Sequence, residues 1–198
     1  LDMHVGSQLS TFDPYRAGLA RMAELATEMV ALGATLKFVD IGGGLPVSYG
    51  EGAPDPDLDN YASLITPAIK ALGAELLVEP GRFFTAASGV LLTRVLYRKQ
   101  SGGKTYVIVD TGMTELLRPS HYSAYHLIEA VKPNGARVIA DVVGPVCETG
   151  DFLALARGMD DVAPWDLVVI HTTGADGYVM SSNYNAHPKT TKNGRAND

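Results

Sequence analysis

One cysteine in 198 residues rules out a disulfide within the chain. No apolar run approaches the roughly 18 residues that a membrane-spanning helix needs, and the first residues show no charged region followed by a hydrophobic stretch. Neither a membrane span nor a secretory leader is therefore expected, and a reducing, cytoplasmic compartment is. Cations are also few: 16 Lys and Arg against 22 Asp and Glu give a net charge of -6, and they are scattered rather than gathered into the stripe that phosphate neutralisation requires. No nucleic-acid partner is expected on that ground. What is present is ordinary for a globular protein, with 46% hydrophobic residues and 8% aromatics, enough for a real core.

Both ends read as cut. The chain opens on L-D-M-H-V-G-S-Q, already at what resembles the exit of a strand, and residues 189–198 are polar, without apolar periodicity, and read as a disordered tail. Asp13-Pro14 marks a helix start, with Asp13 as the capping acid, and Leu19, Met22, Leu25, Ala26, Met29 and Val30 follow at helical spacing up to Gly33. A strand over residues 36–41 then runs into Gly42-Gly43-Gly44. A second helical pattern through Tyr61, Leu64, Ile65, Ala68, Ile69 and Leu72 contains Pro67, a potential kink, and precedes a strand over residues 75–78. The two units echo each other, since A-L-G-A-T-L at Ala31 returns as A-L-G-A-E-L at Ala71. Repeated helix–strand units imply parallel strands, in an open sheet or in part of a βα barrel. Near Gly89 the pattern changes to V-L-L-T-R-V-L-Y, a turn at Ser101-Gly102-Gly103 and K-T-Y-V-I-V, a β-hairpin, with further strands over 137–143 and 167–171. The expected organisation is α/β over residues 1–87 and all-β over 88–188.

Several residues carry chemistry. Cys147 lies in G-P-V-C-E-T-G-D, a glycine- and proline-rich loop, beside Glu148; it reads as a proton donor or as an inert loop thiol. Triglycine leaving a strand lets backbone N–H groups approach a phosphate, and serves equally as a tight turn. Glu79 and Arg82 in E-P-G-R follow the next strand, at the rim where βα enzymes collect catalytic groups, or form a rim salt bridge there. His4 and Ser7 share one loop, offering a ring for stacking and a hydroxyl. Arg118 and Tyr122 in R-P-S-H-Y offer a guanidinium and a phenol to a carboxylate, or are a surface cation and a half-buried tyrosine. No metal site is expected.

Seven motifs in order, H-V-G-S-Q at His4, D-I-G-G-G at Asp40, E-P-G-R at Glu79, V-D-T-G-M at Val109, R-P-S-H-Y at Arg118, G-P-V-C-E-T-G-D at Gly144 and M-S-S-N-Y-N at Met180, cover nearly everything from His4 to Pro188. Together they resemble the diaminopimelate branch of the alanine-racemase-like, fold-type III pyridoxal-phosphate-dependent decarboxylases. Glutamate after the cysteine favours that branch, because the ornithine and arginine relatives typically carry aspartate there. The resemblance implies the C-terminal part of a cofactor-binding (β/α)8 barrel followed by a β-sandwich or barrel-like domain. It implies pyridoxal 5'-phosphate as cofactor, decarboxylation of meso-diaminopimelate to L-lysine, and a head-to-tail homodimer in which the cysteine loop completes the site of the other subunit. By the same resemblance, His4 stacks on the cofactor ring, Ser7, Gly42, Gly43, Gly44 and Gly81 face its phosphate, and Glu79 pairs with the pyridine nitrogen. Arg82, Arg118 and Tyr122 bind substrate carboxylate, Cys147 reprotonates the carbanion, and Glu148 recognises the distal ammonium. The alternatives are an ornithine, arginine or carboxy-polyamine decarboxylase, or a non-catalytic homologue acting as a binding or regulatory partner.

The chain departs from the pattern at two places above all, with His171, Thr111 and the polar tail after Pro188 differing as well. The lysine that anchors the cofactor precedes H-V-G-S-Q in the family, and of the seven lysines here the nearest to a barrel strand, Lys37, stands at the strand's entry. The chain alone is therefore expected to be inactive. Asp176 stands where the family has a tyrosine that touches phosphate and substrate; phosphate would repel it, and Tyr178, two positions on and on the same side of a strand, is a partial substitute. The β domain is expected to be left with an exposed edge.

Overall fold

A computed structural model of the chain describes residues 1–50 and 54–194. The last four residues of the expected tail lie outside the described residues; residues 189–194 are exposed and without regular structure. The chain forms two compact units, Leu1–Ser48 with Ala53–Phe84, and Tyr49–Gly52 with Thr85–Asp198.

The first unit holds helix α1 (Asp13–Ala31), strand β1 (Phe38–Asp40), helix α2 (Leu58–Ala71), strand β2 (Glu75–Leu77) and most of the short helix α3 (Gly81–Thr85). β1 and β2 pair in parallel, Val39 opposite Leu76, and Asp2 adds a parallel bridge to Asp40 on the other side. Leu19 and Met22 of α1 and Ile65 and Ile69 of α2 pack over Val39 and Ile41, so the helices cover the strands along one apolar stripe each. Asp57 caps α2 by accepting a hydrogen bond from the Asn60 N–H at 3.0 Å, and Pro67 is carried inside the helix. Asp13, expected as the cap of α1, lies within its first turn; Phe12 occupies the cap position and no side chain caps there. Pro14 still fits, since the first turn has no N–H partner to lose.

The second unit is a six-stranded sheet in the order β5-β8-β3-β4-β6-β7, built from β3 (Leu91–Ser101), β4 (Lys104–Val109), β5 (Ile128–Ala130), β6 (Arg137–Val143), β7 (Phe152–Asp160) and β8 (Leu167–Ile170). The short helix α4 (Arg118–Tyr122) lies between β4 and β5. The hairpin read from the sequence is β3 and β4, with Ser101 opposite Lys104. All pairs are antiparallel except β4 with β6, which run parallel, Val107 opposite Val142. The sheet curls into a nearly closed barrel around Val95, Val107, Leu116, Val142, Leu153, Met159 and Ile170. Its end strands meet through side chains: Asp160 of β7 accepts from the Ala130 N–H of β5 at 3.0 Å, and Arg157 donates to the His126 carbonyl at 2.6 Å. The exposed edge expected from the sequence is thus largely covered, because two polar side chains reach where a backbone ladder stops. Parallel pairing of β4 and β6 has a direct consequence for function. Both strands leave the sheet at the same end, so the loops that follow them, beginning at Asp110 and Gly144, are neighbours.

Candidate active site

In the first unit the parallel strands converge on the triglycine. Gly42 has φ +69° and Gly44 φ +106°, a backbone region that glycine alone enters freely. A Cβ on Gly43 would overlap the Glu79 carbonyl oxygen, and one on Gly42 the Met3 carbonyl. Three glycines are required because three chain segments meet there. The Gly43 N–H points to His4 Nδ1 at 3.4 Å, the Glu79 N–H donates to the Gly42 carbonyl at 2.9 Å, and the Gly81 N–H donates to the Glu79 carbonyl at 2.8 Å. His4, Gly42, Gly43, Gly44, Glu79 and Gly81 are therefore gathered at the C-terminal end of the strands. Ser7 is exposed in the His4 loop and Arg82 is partly buried in α3. Behind the triglycine, the Tyr15 hydroxyl donates to the Gly43 carbonyl at 2.6 Å. Burial raises the Tyr15 phenol's pKa, which keeps it a donor. Tyr15 was not singled out from the sequence, where it reads only as a helix residue. The two lysines of this unit, Lys37 and Lys70, lie at the entry of β1 and in the last turn of α2.

In the second unit Cys147 and Glu148 are exposed on the loop after β6. The Tyr184 hydroxyl, in M-S-S-N-Y-N, donates to Glu148 Oε2 at 3.3 Å. Tyr122 is 58% exposed at the end of α4, its ring 4.5 Å from that of His121. Arg118 is only 7% exposed. Its Nε lies 3.1 Å from Asp176 Oδ2, its Nη1 lies 2.9 Å from His126 Nε2, and its guanidinium lies 4.2 Å from the centre of the Tyr49 ring. His126 Nδ1 is 2.9 Å from the His171 carbonyl, which can only accept, so Nδ1 carries the proton and Nε2 accepts from the arginine. This neutral tautomer agrees with a His126 pKa lowered to about 4, chiefly by burial.

Asp176, expected to disturb a phosphate contact, thus serves as the counter-ion of a buried arginine. The segment carrying it is a run of turns rather than a strand: the Gly177 N–H donates to the Thr173 carbonyl at 2.9 Å and the Met180 N–H to the Asp176 carbonyl at 3.1 Å. Tyr178, 50% exposed, therefore does not share a strand face with Asp176. Gly174 and Gly177 are the local signal against a strand, since both approach neighbouring backbone closely.

The V-D-T-G-M motif is held by side-chain hydrogen bonds. Asp110 accepts from Thr93 Oγ1 at 2.7 Å and from the Arg94 N–H at 2.9 Å, while Glu115 accepts from the Gly112 N–H at 2.8 Å and lies 2.9 Å from His187 Nδ1. Among the described residues no group of three or more His, Cys, Asp or Glu could hold a metal ion.

The sequence model of the family described as "Pyridoxal-dependent decarboxylase, C-terminal sheet domain" matches residues 12–174. The chain belongs to the pyridoxal-dependent decarboxylases. Among curated relatives of this family, a diaminopimelate decarboxylase from Campylobacter jejuni is 45% identical over 94% of the chain and 46% of its own length. Another from Aquifex aeolicus is 38% identical over 96% of the chain and 45% of its own length. The crystal structure of diaminopimelate decarboxylase from Helicobacter pylori complexed with L-lysine matches with a TM-score of 0.89 at 41% identity, over 95% of this chain and 47% of that one. The chain spans about half the length of the decarboxylases it matches.

The donor set of the first unit fits pyridoxal phosphate. An imidazole, three glycines without side chains and a glutamate stand together at one strand end, the Gly42 N–H held by Asp40 Oδ1 at 2.8 Å, which suits a flat ring bearing a phosphate.

Proposed function

We propose that the chain is part of a diaminopimelate decarboxylase, removing CO2 from meso-diaminopimelate to give L-lysine. The observation that carries this is the convergence of His4, the triglycine and Glu79 at one end of the parallel strands, the Gly43 N–H lying 3.4 Å from His4 Nδ1 and the Glu79 N–H 2.9 Å from the Gly42 carbonyl. In this reading the His4 ring stacks on the cofactor, Ser7, Gly42, Gly43, Gly44 and Gly81 take its phosphate, and Glu79 holds the pyridine nitrogen protonated. Bound pyridoxal phosphate supplies an electron sink for the pair left on Cα when the bond to the departing carboxylate breaks. Cys147 Sγ–H then delivers the proton to Cα, and Glu148 receives the distal ammonium. Arg82 and Tyr122 take the substrate carboxylate. Arg118, named for the same task by the family resemblance, does so while paired with Asp176.

The reading extends to a head-to-tail homodimer in the cytoplasm, the Cys147 loop of one copy serving the cofactor site of the other. The two lysines of the first unit lie at the entry of β1 and in the last turn of α2, so neither is placed to anchor the cofactor at the triglycine, and the chain alone turns over nothing. Glu148, the longer acid, and the names of the relatives favour diaminopimelate over ornithine or arginine. The test joins the chain to the N-terminal half of the Campylobacter jejuni relative and measures lysine released from meso-diaminopimelate with cofactor added. Turnover that falls sharply in Cys147→Ala supports the proposal. Turnover of ornithine instead, or full activity in Cys147→Ala, overturns it.

A further inference from the structure

Asp151 closes the G-P-V-C-E-T-G-D motif and was read from sequence only as one of its letters. In the fold it is 4% exposed, and its carboxylate reaches into both loops that leave the parallel pair. Oδ1 accepts from the Met113 N–H at 2.7 Å, in the loop after β4, and Oδ2 accepts from the Val146 N–H at 2.6 Å, immediately before Cys147. A Cβ on either Gly112 or Gly144 would overlap this carboxylate, so one glycine from each loop is needed to make room for it. The Asp151 backbone closes the loop as well, its carbonyl accepting from the Gly144 N–H at 3.0 Å and its N–H donating to the Glu148 carbonyl at 3.1 Å. The ionisable groups whose charge acts on its carboxylate are Glu115, from the loop after β4, and His187, from the C-terminal segment.

We propose that Asp151 is the positioning residue for the Cys147–Glu148 pair: its buried carboxylate, clamped between Gly112 and Gly144, fixes the thiol loop to the loop after β4 and so sets where the thiol stands. A carboxylate meeting two backbone N–H groups makes a stronger and more directional tie than a neutral side chain would. Packing alone does not call for this arrangement. An acid shielded from water needs a reason, and burial raises the Asp151 pKa while the Met113 and Val146 N–H groups pull it back. The proposal rests on the reading of Cys147 as the proton donor for its meaning, and on the loop geometry alone for its truth.

The test uses the fact that the chain has one thiol, so alkylation by iodoacetamide reports a single site. In Asp151→Asn the loop opens more often; Cys147 is already exposed when it is closed, so the opening is read as about tenfold faster amide exchange at Met113 and Val146, the population change that follows from losing one charge-assisted hydrogen bond. The pH profile of the alkylation rate changes as well, because the thiol loses its fixed neighbours. Asp141→Asn is the control: Asp141 is equally buried and accepts from the Ala156 N–H at 2.6 Å in the same sheet, so its loss lowers stability and leaves the profile unchanged. A profile for Asp151→Asn that superimposes on the wild type overturns the proposal, as does an equal change in the control. Should Asp151→Asn not fold, amide exchange in the wild-type chain decides: Met113 and Val146 are protected at neutral pH and open together, with one shared protection factor. Free exchange of either N–H at neutral pH refutes the role. Neither measurement involves cofactor or substrate, so a failed decarboxylase assay would leave this result standing.

Discussion

Asp176→Asn isolates the buried cation of the second unit. Arg118 and Asp176 lie 3.1 Å apart, the arginine 7% exposed and the aspartate side chain 21% exposed. At an effective dielectric constant of about 20, two unit charges at that separation attract by roughly 5 kcal/mol. Desolvation of both groups offsets part of this, yet taking the acid from a buried arginine costs about 3 kcal/mol net. His126 cannot take over, because its Nε2 lone pair already accepts from the arginine. For a unit of this size the midpoint of thermal unfolding should fall by about 10 °C. Urea denaturation at neutral pH, followed by circular dichroism, measures the loss. Arg118→Met combined with Asp176→Asn should recover much of it, since the double variant removes both charges together. A change below about 0.5 kcal/mol in Asp176→Asn, the range typical of exposed ion pairs, would show that solvent rather than the aspartate balances Arg118.

His126, fully buried, has its pKa lowered from 6.5 to about 4, so the unfolded chain binds a proton between those values that the folded one does not. Stability is then fully present above pH 6.5 and is lost as pH falls towards 4, by up to about 3 kcal/mol; urea titrations across this window test it, and His126→Gln should flatten the dependence. Gly43→Ala drives a methyl group into the Glu79 carbonyl; it should cost about 1–3 kcal/mol of stability, as overpacking does, and it should weaken binding of added pyridoxal phosphate measured by absorbance, whereas Gly102→Ala, in the hairpin turn with open space around it, should leave cofactor binding unchanged.

Periodicity and turn chemistry made much of the fold legible. The apolar stripe from Leu19 to Val30 gave α1, the alternation around Ser101-Gly102-Gly103 gave the β3–β4 hairpin, and the run from Arg137 to Val143 gave β6 residue for residue. Shorter or interrupted elements were silent. β5 is three residues long, α4 is five residues opened by Arg-Pro, and β7 carries Arg157 and Gly158 within its run, so none shows a clean period. The residues gathered at the strand end, His4, the triglycine and Glu79, were legible as a set because each sits in a dense local motif. Pairings set by topology were not. Nothing near Arg118 in the sequence announces Asp176, nothing near Gly112 announces Asp151, and the turn that carries Asp176 reads as a strand until Gly174 and Gly177 are seen pressed against backbone.

The seam between β5 and β7 is fastened by a carboxylate and a guanidinium instead of a ladder of peptide groups. It is therefore where the cylinder can breathe at least expense, parting there while every other strand keeps its neighbours. Local opening should start at that junction and spread outward, and solvent should reach the far side of the sheet by that route first.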